Sequence, residues 1–527
     1  MEAKYDVVIL GAGHNGLVAA AYLARAGLSV VLLEKNDYIG GATTSQKVFP
    51  DYDAWLSRYA YLVSLFPHKI IRDLDLNLEL RRRMTASYTP YVRNSGFGGL
   101  LLSNVSEEVS RRSMAELTGS EAEFAGMKRF YRLAGVLAEH VWDTMLKPLP
   151  RKEDLRRHLE ASDTGRNAWR SLVEEPLGCA IERYLQDDLV RGLVLTDGKI
   201  GVFTHPHDES LLQNRCFLYH LIGNKTGEWK VPVGGMGNIA RELEQAARKH
   251  GAEMLSGVGL RRLDLSTGRR TVEFEIAGKM RAVETRFLLV NFGLNVLTKF
   301  LGQAYQPDPM NEGSVFKINM LLQRLPRLKD TTHSATDAFG GTFHIDEGYD
   351  QMMTSYRQAA QGRLPERLPG EIYCHSLTDS SILSPDLQTR GFHTLTLFGI
   401  DTPWKLFAHD NAVMREEAQA RFVKGINRWL AEPLEDCLAR ASDGSLCIES
   451  KSPVDIEDAL GLYHGNIFQT ALTFPFAETK EDVGKWGVET EFENVYLCGS
   501  SAQRGGAVSG IPGHNAAMKV LEQVSGL

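Results

Sequence analysis

The 527-residue sequence has no CxxC pair: its six cysteines, Cys179, Cys216, Cys374, Cys437, Cys447 and Cys498, are scattered and none has zinc-like spacing. Redox chemistry by a protein dithiol is therefore not expected. Long apolar runs are lacking too. No stretch reaches the ~18 apolar residues that a membrane span requires, and "MEAKY" passes straight into strand-like residues, so we expect no cleaved leader. Positive charge is not in excess. Lys and Arg number 59 against 66 Asp and Glu, a net charge of −7, which removes any general attraction to nucleic acid. The basic clusters Arg81–Arg83 and Arg111–Arg112 are short and read as solvated faces. Repeats and low-complexity tracts are missing as well, which argues against solenoids and disordered tails. What remains is a cytoplasmic globular chain, 43% hydrophobic, long enough for two or more domains or one elaborate α/β unit.

What is present begins at residue 6. "DVVIL" suits a buried parallel strand, "GLVAAAYLARAG" has helical apolar spacing, and Gly11-x-Gly13-x-x-Gly16 lies between them. The first glycine permits the tight turn, the second lets the backbone approach a pyrophosphate, and the third allows close helix–strand packing. Asn15 sits in the same turn, at a helix N-terminus whose free N–H groups favour phosphate. A second strand, "SVVLLE", ends in Glu34, followed by Lys35; that acid is close to the ~20-residue offset of a ribose-binding carboxylate. A weaker candidate, Gly235-x-Gly237-x-x-Ala240, follows the polar, proline-containing "TGEWKVP" and no acid closes the strand after it. A helix over 237–250 that returns the chain to the first domain is the better reading. Residues 107–185 read as mainly helical, and "SVFKINMLLQ" and "FHTLTLFGI" read as strands.

The chain's other end repeats the theme. "VYLCGSSAQRGGAVSGIPGHNAA" is a strand-like run, a glycine-rich turn and a helix from about 512 with Pro512 in its first turn. Together with "SRYAYLVSLFPHKIIRDLDL", "VGGMG", "FKINMLLQRLP" and "GNIF", this set resembles the flavoproteins of the phytoene desaturase and amine oxidase superfamily. Within it, the set is similar to the phytoene desaturase-like group that contains pyridine nucleotide-disulfide oxidoreductase domain-containing protein 2. The resemblance implies FAD. It implies an α/β fold with a discontinuous Rossmann-like FAD-binding domain (1–66, 230–302 and 485–527) and an inserted mixed α/β substrate domain (67–229 and 303–484). It places Gly40, Gly41, Ala42 and Thr43 near the pyrophosphate and flavin, adds Leu260 as a cofactor contact, and lays Gly499, Ser500, Gly506, Val508, Gly510 and Ile511 over the flavin ring. One departure stands out: Gln503-Arg504 occupies the place of the family's His-Pro-like pair.

Few residues suggest further chemistry, as expected where N5 of a flavin accepts the hydride. Lys317, in "EGSVFKINM", is similar to the amine oxidase lysine that reaches a water beside N5; the bland reading is an edge-strand lysine extending to solvent. His220, in "FLYHLIG", faces either a substrate channel or the core. These two are the catalytic candidates. His205 and His207 are two potential ligands without a third, so no metal is expected. Tyr463, His464 and Phe468 are candidates to line a cavity. The expected activity is desaturation, or isomerisation, of an apolar or amphipathic small molecule, with oxygen or a quinone as acceptor. C–N oxidation with oxygen is the alternative, disfavoured because no aromatic residue follows Cys498. A flavin-binding interaction protein without efficient turnover is the second. Peripheral membrane contact stays open, although no strongly basic amphipathic helix argues for it.

Overall fold

The computed structural model describes residues 3–93, 96–266 and 268–526. Two seven-stranded sheets organise it. In the first, the apolar strand Ala3–Leu10 lies between Val30–Leu33 and Lys279–Val290, both parallel to it. Glu253–Leu255 extends the sheet beyond Val30–Leu33, and Val495–Leu497 pairs with residues 288–290 on the other side. These five strands are parallel, as buried strands covered by helices on both faces should be. The hairpin of Gly259–Asp264 and Arg270–Ile276 adds antiparallel strands against the first half of Lys279–Val290. The strand order reverses between Ala3–Leu10 and Lys279–Val290, and such switch points open a crevice at the carboxyl ends of the strands. This is the Rossmann-like α/β arrangement expected from the sequence.

Helix His14–Arg25 crosses from the first strand to the second and is buried over almost its whole length, which its small residues Ala19, Ala20 and Ala21 permit. The last helix, Ile511–Ser525, packs directly on it. Helix Met236–Lys249 covers the same helix from another side. Its N-terminal N–H groups are spoken for: Ser57 Oγ accepts from Met236 N at 3.1 Å and Ser45 Oγ from Gly237 N at 2.9 Å. The Gly235-x-Gly237 turn is thus a helix cap, and the helix leads back into the first sheet as the sequence suggested.

The second sheet runs Ile448–Lys451, Phe316–Leu322, His393–Gly399, Gly370–Tyr373, Thr342–Ile345, Thr85–Arg93 and Gly96–Ser103. Only the Thr342–Ile345 and Thr85–Arg93 pair is parallel. Strand alternation sorts its side chains. Phe316, Ile318, Met320 and Leu322 enter a core with Leu395, Leu397 and Ile372, so the intervening Lys317 and Asn319 point to the opposite face. Helices between residues 107 and 221 form a third body of core around Phe130, Leu137, Trp169 and Phe217. Helix Ala122–Trp142 contributes Phe124, Met127, Phe130, Leu133, Leu137 and Val141 at three- and four-residue spacing, the apolar stripe of a core-facing helix. Among the described residues, no helix is long and apolar enough to cross a membrane, and all six cysteines are free.

Candidate functional site

Four of the five parallel strands of the first sheet lead directly to one crevice. After Leu10 comes Gly11, after Leu33 comes Glu34, after Val290 comes Asn291, and soon after Leu497 comes Gly499. The crevice opens into a cavity of about 890 Å³ lined by Gly11, Gly13, Asn15, Glu34, Lys35, Gly41, Ala42 and Leu260 from one side. Ser500, Gly506 and Val508 from the C-terminal turn line the same space, as do Lys317 and His220. The two glycine-rich turns, almost 500 residues apart in sequence, therefore border one cavity.

The remaining cofactor candidates support those walls. A Cβ on Gly16 would collide with the Gly11 carbonyl oxygen and come within 2.8 Å of Asn291 Nδ2. Gly40, at φ +122°, donates its N–H to Ala12 O at 2.9 Å and forms a bridge with Gly13. Thr43 is fully buried with Oγ1 at 3.0 Å from His14 Nδ1. A Cβ on Gly499 would lie 3.0 Å from the Asn291 carbonyl. Gly510, at φ +70°, caps the last helix, and Ile511 is its buried first residue.

Asn291 is the residue that sequence reasoning missed. Its Nδ2 donates to Gly11 O at 3.0 Å and to Gly13 O at 3.4 Å, and its backbone abuts Gly499. It ties the first turn to the last. Its signal, an Asn just after the apolar strand "FLLV", is present in the sequence but too common to stand out.

The first turn offers what a dinucleotide requires. Helix His14–Arg25 has no side-chain cap, so its leading N–H groups stay free for an anion. Asn15 is buried with Oδ1 lacking a hydrogen-bond partner among the described residues. Glu34 holds the turn as its carboxylate accepts from Ala12 N at 2.7 Å and Asn36 N at 2.9 Å. Burial lowers His14 to about 4, so this imidazole is neutral at physiological pH.

The cavity's other wall is the polar face of the second sheet. Register puts Lys317 beside Phe398, Phe398 beside Glu371, and Glu371 beside His344, on four adjacent strands. Residues directly opposite share a face, and all four line the cavity. Lys317 is only 1% exposed and lies in an interior strand, which corrects the reading of an edge lysine reaching solvent. Its Nζ has no hydrogen-bond partner among the described residues and sits 4.2 Å from the centre of the Tyr61 ring. Burial holds this amine well below its usual pKa, against the opposing pull of Glu449. Tyr61 packs on Tyr373 with ring centres 4.2 Å apart.

Arg83 also lines this wall and is 9% exposed, donating from Nη1 to Thr342 Oγ1 at 3.0 Å. The solvated-face reading of Arg81–Arg83 is corrected at this position: the Thr342 hydroxyl and the Tyr373 ring draw Arg83 inward. His220 is buried and bordered by the cavity, with Nδ1 at 2.8 Å from Cys216 O. Phe468 lines the cavity, whereas Tyr463 and His464 do not, and His464 stacks on both Tyr463 and Trp404. His207 bonds Glu182 at 2.9 Å. Gln503 and Arg504 are structural: Arg504 donates to Thr144 O, Lys147 O and Trp486 O, all within 2.9 Å.

The model of the family described as FAD dependent oxidoreductase matches residues 6–121. An uncharacterized protein of Mycobacterium tuberculosis is 43% identical over 526 residues, covering 99% of this chain and 97% of its own. Pyridine nucleotide-disulfide oxidoreductase domain-containing protein 2 of Rattus norvegicus is 25% identical over 573 residues, covering 100% of this chain and 95% of its own. This chain belongs to the FAD-dependent oxidoreductase family. The oxidoreductase also shares its fold with cyclohexylamine oxidase from Brevibacterium oxydans, at a TM-score of 0.56, 14% identity and 99% coverage of each chain. FAD is its cofactor. The uncapped helix, the orphaned Asn15 Oδ1 and the side-chain-free approach at Gly13 and Gly41 fit that group.

Proposed function

We propose that this oxidoreductase removes hydrogen from an apolar or amphipathic small molecule, leaving a double bond, with desaturation preferred over C–N oxidation. One observation carries the reading: the cavity that both glycine-rich turns border extends over the face of the second sheet. Bound FAD supplies the hydride acceptor. The chain's residues do the rest. In this reading Gly13, Asn15 and Gly16 present backbone N–H groups to the pyrophosphate, Gly11 makes the tight turn with its own N–H bonded to Leu33 O at 2.8 Å, and Glu34 stands at the ribose. Gly40, Gly41, Ala42, Thr43 and Leu260 complete that half, while Gly499, Ser500, Gly506, Val508, Gly510 and Ile511 frame the ring. The division into 1–66, 230–302 and 485–527 for FAD and 67–229 with 303–484 for substrate belongs to the same proposal.

The deciding experiment is absorbance of the purified holoprotein before and after anaerobic mixing with a cell lipid and metabolite extract, then after admitting air. Bleaching establishes turnover of a compound in the extract. Persistent colour with every extract removes the catalytic reading and favours a flavin-holding interaction protein.

Two substitutions probe the walls. Asn291→Ala deletes the donor to Gly11 O and Gly13 O, hydrogen bonds worth about 1 kcal/mol each. FAD should be retained roughly tenfold less tightly, read by flavin fluorescence on dilution. Lys317→Met replaces a buried, unpartnered amine with an apolar chain of similar reach. Its thermal midpoint should stay level or rise, since no hydrogen bond is lost. If Lys317 assists oxygen, recolouring in air slows about 10- to 100-fold with bleaching unchanged; equal recolouring rates would leave Lys317 as a wall residue only.

A further inference from the structure

Behind Lys317 the cavity wall carries a second set of ionisable groups that hydride transfer leaves unused. Four carboxyls line the cavity: Glu34, Asp197, Glu228 and Glu371. Glu34 is bound to the first turn and Glu228 pairs with Arg82 at 2.6 Å. Glu371 is different. It is 4% exposed, the Tyr373 hydroxyl donates to its Oε2, and the Thr196 hydroxyl donates to its Oε1 at 3.4 Å. These two donors fix the carboxylate on the sheet face one strand from Phe398 and two from Lys317.

His344 stands on the next strand, with Nδ1 4.0 Å from Glu371 Oε1 and in contact with Glu347 Oε2. Burial lowers His344 and raises Glu347 well above its ordinary value. Both directions disfavour an ion pair at this contact. Glu347 Oε1 has no partner among the described residues.

The groups facing Glu371 come from six places. His344 and Glu347 lie on one side, Tyr373 on its own strand, and Tyr61 packed against the Tyr373 ring. Arg83 approaches with its guanidinium carbon 5.7 Å from the Tyr373 ring centre. Thr196 and Asp197 come from the segment after helix Asp188–Leu195, and His220 and Cys216 from helix Leu212–Leu221.

Resting on the desaturation reading, we propose that Glu371 takes the proton from the substrate carbon adjacent to the one that gives up hydride. Two C–H bonds break and one C=C bond forms. The electron pair of the first leaves with its hydrogen to FAD, the oxidant. The second C–H pair becomes the new π bond as its proton forms the O–H of Glu371, which later returns the proton to water. Tyr373 and Thr196 are positioning residues, holding the carboxylate toward the cavity. His344 and Glu347, hydrogen-bonded to each other, back the carboxylate from the next strand and the turn after it.

Burial, followed by Glu347, raises Glu371 to about 7. The base form is the ionised one, so the rate must rise with pH through about 7. As a stability term the sign is opposite. A carboxyl raised from 4.5 to about 7 favours the folded state most below 4.5, and that contribution is lost as pH climbs to about 7.

The test compares wild-type, E371Q, E371D and D197N holoproteins, mixed anaerobically with the extract that bleaches the wild type, on both sides of that pH. Infrared difference titration without substrate follows the carboxyl bands. E371Q should keep FAD and its visible spectrum, lose the infrared carboxyl transition, and bleach at least about 100-fold more slowly with no pH step. E371D should restore part of the rate together with a pH step. D197N should keep the pH step but move it to lower pH, because one of the charges that raise Glu371 is gone. E371Q bleaching at the wild-type rate, or losing rate while the step remains, overturns the assignment, and so does a step lost in D197N alone. The donor atoms of His344, Glu347 and Glu371 lie within 4.8 Å of one another. One equivalent of manganese or zinc retained by wild type and lost from E371Q would reassign the cluster to a cation and overturn the proposal as well. A wild-type protein inert to every extract removes the desaturation reading, and this inference with it, whereas an active wild type matched by E371Q removes the inference alone.

Discussion

Gly513→Ala is expected to yield a protein that purifies without most of its FAD. Gly513 lies in the first turn of helix Ile511–Ser525, and a Cβ there would fall well inside contact distance of the Asn15 carbonyl oxygen. It would also press on Val18 Cβ at 3.1 Å. The first obstacle is backbone, and it belongs to the first turn of helix His14–Arg25. Neither helix can yield alone, because the first is buried from residue 14 to 24 between the sheet and its neighbours. The substitution must pry the two N-termini apart, overpacking that costs about 3 kcal/mol. The same movement displaces Asn15 and its neighbours at the cavity. The ratio of flavin to protein absorbance after gel filtration should fall to a small fraction of wild type, and the urea midpoint should drop. Full flavin content at an unchanged midpoint would contradict the direct helix contact.

Arg504→Ala should be the most destabilising change outside the cofactor turn. Its guanidinium is 1% exposed and supplies donors to Thr144 O, Lys147 O and Trp486 O. It holds the end of the long helical segment against the C-terminal turn. Removing it takes the donor from the buried Trp486 carbonyl and the part-buried Lys147 carbonyl, while Thr144 O keeps Lys147 N at 3.0 Å, and leaves a cavity, a loss of about 3–5 kcal/mol. Burial lowers Arg504 to about 10, still far above neutrality, so the charge persists at physiological pH. Arg504→Lys should recover little, because one ammonium cannot reach three carbonyls as a planar fork does. Urea unfolding of both variants, followed by far-UV signal, reads the difference; an Arg504→Lys midpoint equal to wild type would refute the fork argument.

The readable parts of this site share one property, which is nearness along the chain. Gly11, Gly13, Gly16 and Glu34 lie within one strand–helix–strand unit, so their spacing already fixes their geometry. The C-terminal turn announced itself in the same way, by glycines between a strand and a helix. Asn291 did not, because its partners Gly11 and Gly499 are hundreds of residues away. Arg83 was read as solvated for a related reason: a run of three arginines states its charge, but only the Thr342 hydroxyl and the Tyr373 ring state which one turns inward.

The sequence by itself determined the cofactor, the Rossmann-like sheet and the glycine-rich turns at both ends of the chain, which border one cavity. Local backbone demands, a tight turn and an unobstructed helix N-terminus, are written in adjacent residues. Only the tertiary structure decided what faces that cavity. Lys317, Glu371 and His344 sit on three strands separated by dozens of residues, and each strand has two faces of equal standing in sequence. Strand register chose the face, since shifting any one strand by a residue would turn its polar side chain into the core behind.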